Sequence, residues 1–524
     1  MTPPAPPLFS SLLAPALRIV SPPWIDPAIR GVSDDSRRVR PGDLFIARPG
    51  VADDGGRHLA EAIAHGAVAV LGGVGTARAL AGLRVVAVAE VDPGSLREAA
   101  GVTVGRFFGD PSRRLDLVGV TGTNGKTTTC FLIRQLLAAV QIRCGLMGTV
   151  LVDDGRESRP AELTTPGAIE LHESLARMVA HGCSAAAIEV SSHALDQDRV
   201  AGLRFNRAVF TNLSGDHLDY HGSMEAYLAA KRRLFESLDE ASVAVVHRGD
   251  AAAAAMVEGC RASVLDYAIA EGGREAAAVR GRVGFMDPSG TDLLLETPWG
   301  EATARLPLVG RHNVENALAA VAVAGSLGMP FESIIGGLAT LTAPPGRFER
   351  VQVPEARFSV LVDYAHTDDA LRRALEALRP VLPPGAKLRC VFGCGGDRDR
   401  SKRPRMAAVA CALADQVIVT SDNPRTESPG AIVEEVLTGV AAADVDRVEA
   451  VVDRRDAIRR AVECCERGDI LLIAGKGHED YQIVGREKRA FDDRREAAAA
   501  LAARFAAVER RGRDLPSLES TSLT

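Results

Sequence analysis

No run of lysine and arginine stands out in the 524 residues, and the formal net charge is −6. A chain so charged, with no basic patch, is poorly suited to nucleic acid as its main partner. The nine cysteines are scattered, only Cys464 and Cys465 being adjacent. None sits at metal-ligand spacing, and no structural disulfide framework is expected. The first stretch, MTPPAPPLFSSLLAPALRIV, has no basic segment ahead of its apolar residues and no long apolar run. Neither a signal peptide nor a membrane span is expected there. Internal repeats are absent as well. What is present is an ordinary globular composition, 46% hydrophobic and 25% charged. At this length about three domains are expected, in a reduced, cytoplasmic protein.

Residues 1–112 hold short strand-like and helical pieces with many turns, among them DDSRRVRPGDLFIA and ADDGGRHLAEAIAHGAVAVLG. Residues 113–343 open with the buried-strand pattern LDLVGV, then TGTNGKTT (121–128). TTTCFLIRQLLAAV follows, with Leu132, Ile133, Leu136, Leu137 and Val140 at helical spacing. AAAIEV (185–190), RAVFTNL (207–213) and SVAVV (242–246) read as further strands, and 280–309 alternates like an antiparallel excursion. TAPPGRFE (342–349) reads as a linker. Residues 344–508 alternate the strands FSVLVDY, KLRCVFG, QVIVTS and DILLIAG with helical stretches, a βαβ pattern with a mostly parallel sheet. Residues 509–524 read as a loose polar tail. The expected fold class is α/β in three domains: an N-terminal α/β domain, a central P-loop ATPase-like domain with a mostly parallel sheet, and a Rossmann-like C-terminal domain.

TGTNGKTT departs from the phosphate-loop pattern G-x-x-x-x-G-K-[ST]. The position five before Gly125 is Val120, with Gly119 one residue early and Gly122 two late. Context outweighs spacing here. A buried strand runs into a glycine-bearing loop, then Lys126, then two threonines opening a helix. That order aims backbone N–H groups and a helix N-terminus at an anion. Lys126 can reach the β- and γ-phosphates of a nucleotide, and the Thr127 hydroxyl can ligate Mg²⁺. The plainer alternative is a strand–turn–helix connection with a solvated lysine. IEVSSHALDQDRV (188–200) places Glu189 at a strand's C-terminal end, where a carboxylate suits a metal ion or simply a solvated turn. TNLSGDHLDYHG (211–222) adds two aspartates and two histidines after another strand. AYLAAKRRLF (226–235) carries Lys231 on a helix, where a lysine by itself is normally just solvated.

Together and in this order, TGTNGKTT, EVSSHALDQDRV, TNLSGDHLDYHG, LVGRHNVENALAA, PGRFE and VDYAHT resemble the Mur ligase family. These are ATP-dependent amide-bond ligases of peptidoglycan precursor synthesis. The likeness runs from Asp35 to Glu496, and the departure from strict phosphate-loop spacing is the family's own form. The resemblance implies that Gly122, Thr123, Asn124, Gly125, Lys126, Thr127 and Thr128 bind ATP. It implies that Thr127 and Glu189 serve one Mg²⁺, and His217 with Glu189 a second. Lys231 matches a carbamylated lysine (N6-carboxylysine), a change that turns a cation into an anion able to help organise a metal site. Lys126, Lys231, His217 and Glu189 are the implied catalytic residues. Asn313 and Asn316 match the adenine contact. Arg347 and Asp363 match residues that close on the nucleotide, with Pro344–Gly346 as the expected hinge. DDSRRVRPGDLFIA resembles the uridine-nucleotide domain, with Ser36 at the UDP contact. Thr164, Thr165, Ser191, Gln197 and Arg199 match positions that hold the muramoyl-dipeptide part.

GCGGDRDRSKRP (393–404) and SDNPRTE (421–427) resemble the branch that adds the third residue of the stem peptide. Within it, Asp422, Asn423, Pro424 and Arg425 resemble the form selecting meso-diaminopimelate over lysine. The chemistry agrees: diaminopimelate carries a second carboxylate, and Arg425 and Arg398 can each offer it a bidentate, charge-assisted contact. An analogue lacking that group would leave the site unpaired, a difference of several kcal/mol. Gly475 and Glu479 of GKGHE match the remaining contacts, Glu479 suiting an ammonium group. The implied reactants are ATP, UDP-N-acetylmuramoyl-L-alanyl-D-glutamate and meso-diaminopimelate, with Mg²⁺, on a monomer. Asp368, VVHRGDA and Ser401 depart from the family pattern and bear on local loop shape. A lysine-adding enzyme is one alternative, and DNPR speaks against it. Folylpolyglutamate synthase is another, and the DSR-bearing N-terminal region speaks against that. A switch that hydrolyses ATP only to change shape would turn nucleotide over without any amino acid.

Overall fold

The computed structural model of the protein describes residues 5–14, 17–20, 26–48, 54–83, 87–270, 277–353 and 355–513. The chain groups into two compact units. The first comprises Met1–Arg280, Glu296–Gly300 and Glu315–Gly337; the second comprises Gly281–Leu295, Glu301–Val314 and Leu338–Thr524.

The first unit carries two sheets. The N-terminal one holds β1 (Arg18–Ile19), β2 (Gly31–Ser33), β3 (Asp43–Ala47), β4 (Ala69–Gly73) and β5 (Ala87–Val91) in the order β1-β5-β4-β3-β2. All pairs are parallel except β1 with β5. The central sheet holds β6 (Asp116–Thr121), β7 (Cys144–Met147), β8 (Leu151–Asp153), β9 (Ser158–Pro160), β10 (Ala185–Glu189), β11 (Arg207–Phe210), β12 (Val243–His247) and β13 (Ser263–Ile269). Their order is β13-β12-β11-β6-β10-β7-β8-β9. The strands from β13 to β7 pair in parallel, and β8 and β9 form an antiparallel edge. β10 reads AAAIE and is buried at every position. A parallel strand covered on both faces has no solvent side to alternate toward, so it reads as an apolar run. β14 (Val279–Asp287), β15 (Gly290–Thr297) and β16 (Gly300–Leu306), most of whose residues belong to the second unit, follow one another through tight turns, as only antiparallel neighbours can.

β11 stops at Phe210, short of the seven-residue strand expected for RAVFTNL. Thr211 N still donates to Thr121 O at 3.1 Å, and beyond it the side chains tie the chain to the loop after β6: Thr211 Oγ1 donates to Asn124 O at 2.6 Å and Asn124 N to Asn212 Oδ1 at 3.0 Å.

The second unit holds β17 (Glu349–Val351), β18 (Ser359–Asp363), β19 (Leu388–Cys394), β20 (Gln416–Ser421), β21 (Val448–Ala450) and β22 (Ile470–Ala474) in the order β17-β18-β22-β19-β20-β21. Only β17 runs antiparallel to its neighbour. β23 (Tyr481–Val484) and β24 (Glu487–Ala490) form a separate hairpin. One apolar cluster packs Leu371, Leu375 and Met406 against one face of the sheet, another packs Ile458, Val462 and Leu501 against the other. The sandwich leaves its polar business at the carboxyl ends of the strands, where ligands collect in such folds. AHT follows β18, GGDRDR follows β19, DNPR follows β20 and GKGHE follows β22. The last helix, Asp493–Arg513, runs into the segment expected as a loose tail, whose first residues stay helical. Residues 514–524 of that tail lie outside the described residues.

Candidate active site

β6 delivers the chain to Gly122 with Val120 still inside the sheet, fully buried and paired with β10 and β11. The place where the strict pattern wants glycine is therefore strand, and the turn begins two residues later. Gly122 has φ 144°, and a Cβ there would lie 1.9 Å from Thr211 Oγ1. Gly125 has φ 83°, and its Cβ would lie 2.4 Å from Asn316 Oδ1. Both combine a left-handed backbone with a close approach that only glycine allows. The helix Lys126–Ala139 starts at once, with no acidic residue in its first turn to offset its positive N-terminus. Thr127 and Thr128 are buried in that turn. Lys126 Nζ folds back to donate to Gly122 O at 2.9 Å and Thr123 O at 2.8 Å. Asn316 accepts from Thr129 Oγ1 at 3.2 Å and so sits beneath the loop. Asn313 lies on the same helix, Arg311–Ser326, buried and donating to Val309 O.

Lys231 is 1% exposed on the helix Met224–Glu236. Its Nζ donates to Gly122 O at 2.8 Å and lies 4.5 Å from the Tyr227 ring centroid. Two lysines thus meet at one carbonyl. Burial first, then the Lys126 cation, hold Lys231 well below the usual lysine pKa, with Asp216 opposing. Glu189 ends β10 and is 2% exposed; it accepts from Thr149 N at 2.8 Å and Thr149 Oγ1 at 3.1 Å. Gly148 makes room for it, since a Cβ there would lie 2.0 Å from Glu189 Oε1. His217 is half exposed, 3.5 Å from Asp216, and edge-on to His193. Among the described residues no three His, Cys, Asp or Glu side chains close into a metal cage.

Thr165 Oγ1 donates to Glu189 O at 2.7 Å and accepts from Ser191 N at 3.1 Å. Thr164 Oγ1 lies 3.0 Å from Thr149 Oγ1. Ser191 caps the helix Ser192–Asp196 through Ala194 N. Arg199 Nη1 donates to Thr165 O at 2.8 Å, and its Nε and Nη2 grip Gln197 Oε1. Thr164, Thr165, Ser191, Gln197 and Arg199 are thereby one connected network with Glu189. Gln197 and Arg199 also line a cleft with Asp34, Arg48 and Arg97. Ser36 is nearly buried, and its hydroxyl donates inward to Glu61 at 2.6 Å. Sequence reasoning did not find Thr149, Thr211 or Tyr220, whose hydroxyl accepts from Gln197 and donates to Asp196. Nothing local marks Thr149 or Thr211.

In the second unit, Asp363 ends β18 and accepts from Phe348 N and Ala365 N, both at 2.9 Å. Burial raises its pKa against the pull of Arg347 and these two donors. Arg347 lies over the Tyr364 ring at 4.9 Å. At the next strand ends, Arg425 has φ 51° and its Nη1 donates to Gly396 O at 2.7 Å. Its backbone N donates to Ile483 O, and its carbonyl accepts from Gly485 N. Asn423 Nδ2 donates to Glu479 Oε2 at 2.9 Å. Gly475, φ 120°, has Asp422 Oδ2 3.6 Å from where its Cβ would be. Pro424 is buried within the same turn, and Arg398 is exposed at the tip of the loop after β19. The base of that loop is held by fully buried Arg403, which donates to Glu427 and Glu435. Arg403 first among these bonds draws Glu427 down to a pKa of about 2. Neither Arg403 nor Lys476, the fully buried lysine of GKGHE, was singled out from sequence.

Three family models match the chain in succession. They are the Mur ligase family catalytic domain over residues 28–102, the Mur ligase middle domain over 120–324, and the Mur ligase glutamate ligase domain over 346–477. The UDP-N-acetylmuramoyl-L-alanyl-D-glutamate–2,6-diaminopimelate ligase of Synechococcus elongatus is 45% identical over 487 residues, 92% of this chain and 96% of that protein. The enzyme of the same name from Pseudomonas aeruginosa is 44% identical, over 91% of this chain and 96% of its own. A solved structure of a ligase with this name superposes at TM-score 0.69 and 33% identity, covering 95% of this chain and 99% of that one. A MurF ligase of Thermotoga maritima in complex with ADP shares the fold at TM-score 0.56 and 18% identity, over 92% of this chain and 98% of its own. On these matches the chain belongs to the Mur ligase family and has its three-domain α/β architecture.

Proposed function

We propose that this protein joins meso-diaminopimelate to UDP-N-acetylmuramoyl-L-alanyl-D-glutamate, using ATP and releasing ADP and phosphate, in peptidoglycan precursor synthesis. The observation that carries the reading is the full-length likeness to curated ligases of that name, at 41–47% identity. A carboxylate does not condense with an amine in water, because its oxygen is a poor leaving group. Phosphoryl transfer from ATP to the glutamate carboxylate makes an acyl phosphate; the amine then attacks the carbonyl carbon and phosphate leaves. Negative charge is concentrated on the γ-phosphoryl group in the first step, so fixed donors there lower the barrier. The N–H groups of residues 122–128 and the Lys126 ammonium are those donors. In this reading Asn316 and Asn313 serve the adenine, and Arg347 and Asp363 complete the nucleotide contacts.

The donor set fits Mg²⁺. Thr127 and Glu189 offer hard oxygens at the ends of neighbouring elements, and an ion that keeps waters and phosphate ligands needs only one or two protein donors. His217 is the further ligand in this reading. When bound, Mg²⁺ supplies Lewis-acid neutralisation of phosphate charge. Lys231 is held toward the neutral amine. That form adds CO₂: nitrogen attacks carbon, a proton leaves, and the carbamate N–H can keep its bond to Gly122 O. Ser36, Thr164, Thr165, Ser191, Gln197 and Arg199 hold the uridine-linked substrate. Arg425, Arg398, Asp422, Asn423, Pro424, Gly475 and Glu479 hold diaminopimelate. The enzyme acts as a monomer in the cytoplasm, where ATP and a nucleotide-linked substrate are at hand. No described helix is long and apolar enough to cross a membrane.

The test is phosphate release from ATP and Mg²⁺ with the UDP-linked dipeptide, in three arms: meso-diaminopimelate, L-lysine, and no amino acid. Release with diaminopimelate alone is expected. Release with lysine would overturn the specificity, and release with no amino acid would overturn the ligase reading.

A further inference from the structure

Lys476 follows β22 and has no exposed surface, yet none of the assignments above uses it. Burying an ammonium is unfavourable unless its charge and protons are met. Here all three protons have acceptors: Asp422 Oδ1 at 3.1 Å, Asn423 Oδ1 at 3.1 Å and Glu479 Oε2 at 3.3 Å. These acceptors belong to two segments, the DNPR turn after β20 and the GKGHE loop after β22. The lysine therefore ties two strand ends together through one atom.

The tie has a direction. Asn423 Oδ1 accepts from Lys476 and also from Ile483 N at 2.9 Å. The amide cannot flip without losing both, so its Nδ2 must face Glu479, and it does at 2.9 Å. Glu479 Oε2 then holds two donors, while its Oε1 has no partner among the described residues. The side chain is 17% exposed. One ammonium against the carboxylates of Asp422 and Glu479 leaves the set with one net negative charge, and the open oxygen is where it can be met. The hairpin β23–β24 adds to the clamp: Gln482 Nε2 donates to Asp422 O at 2.6 Å, and Ile483 O receives the Arg425 N–H.

We infer that Lys476 is a positioning residue for amino-acid selection: it locks the DNPR turn and the GKGHE loop into one receptor. Glu479 Oε1 is thereby held to receive an ammonium at a fixed span from Arg425, which receives a carboxylate. This rests on the ligase reading above. Lys476 touches no substrate. Its effect is on the spacing of two groups that do, and that spacing separates a diamino dicarboxylic acid from a diamino monocarboxylic one. Without it, Asp422 and Glu479 are left as two carboxylates with no cation between them, and Asn423 Oδ1 keeps only the Ile483 N–H.

Two variants test it, Lys476→Met and Lys476→Gln, each against the wild type with saturating co-substrates. The KM for meso-diaminopimelate should rise at least tenfold in both. The KM values for ATP and for the UDP-linked dipeptide should stay within twofold, and kcat within about threefold. The ratio of kcat/KM for diaminopimelate over L-lysine should fall at least fivefold. A rise in all three KM values together, or an unchanged KM for diaminopimelate, would overturn the inference. So would loss of cooperative melting in both variants, which would make Lys476 purely structural. A wild type that releases phosphate without needing diaminopimelate would instead overturn the ligase reading, before any variant is compared.

Discussion

Arg425→Ala isolates one guanidinium and leaves its backbone in place. The main chain at 425 is pinned from both sides, by its N–H to Ile483 O at 3.0 Å and by Gly485 N to its carbonyl at 2.6 Å. The φ of 51° is unfavourable for arginine and alanine alike, so the substitution neither adds nor relieves strain. The side-chain bond it loses within the protein is to Gly396 O, on a half-buried group. Stability should therefore change by about 1 kcal/mol. The substrate contact is worth more: a hydrogen bond to a charged partner contributes about 1.5–3 kcal/mol. At about 1.4 kcal/mol per tenfold, the KM for meso-diaminopimelate should rise roughly 10- to 150-fold. The KM for ATP should stay within twofold, because the guanidinium serves only the amino acid. L-lysine, with no second carboxylate, should lose little, so the preference between the two amino acids shrinks. Phosphate release titrated against each substrate reads all of this. Equal rises for ATP and diaminopimelate, or a rise under twofold for diaminopimelate, would refute the placement of Arg425 at the second carboxylate.

Lys231→Ala should lose more than about 100-fold in kcat, the scale seen when a charge-stabilising group is removed from a reaction centre. Partial rescue by acetate is expected, and full activity without rescue would end the carbamate proposal. Gly125→Ala places a side chain at φ 83° and 2.4 Å from Asn316 Oδ1. The left-handed backbone alone costs about 1–2 kcal/mol, so the KM for ATP should rise about tenfold or more while that for diaminopimelate holds. Arg454→Met should lower the melting temperature sharply. Arg454 and Asp493 are both fully buried and 2.7 Å apart, and leaving one charge unpaired costs about 3–5 kcal/mol. The double variant Arg454→Met/Asp493→Leu should recover most of that loss, and a second variant as unstable as the first would count against the account.

Most strands and the phosphate loop can be read from the residues alone. Strands buried on both faces have to be apolar throughout, so LDLVGV, AAAIEV and DILLIAG announce themselves. A glycine loop between such a strand and a helix announces an anion site even where Val120 stands in the wrong place for the usual spacing. Both signals are local, carried by residues within a few positions of one another. The candidate site residues Lys126, Glu189 and Arg425 were legible for the same reason, each lying in a short motif at a strand end. Tertiary structure decided the rest. Lys231 meets Gly122 across 109 positions, and Asn316 meets Thr129 across 187. Arg403 in DRDRSKRPR and Lys476 in GKGHE look like solvated charges in sequence, yet neither has any exposed surface. A charged side chain is exposed or buried according to whether partners from distant strands arrive to compensate it, and no local pattern encodes that arrival.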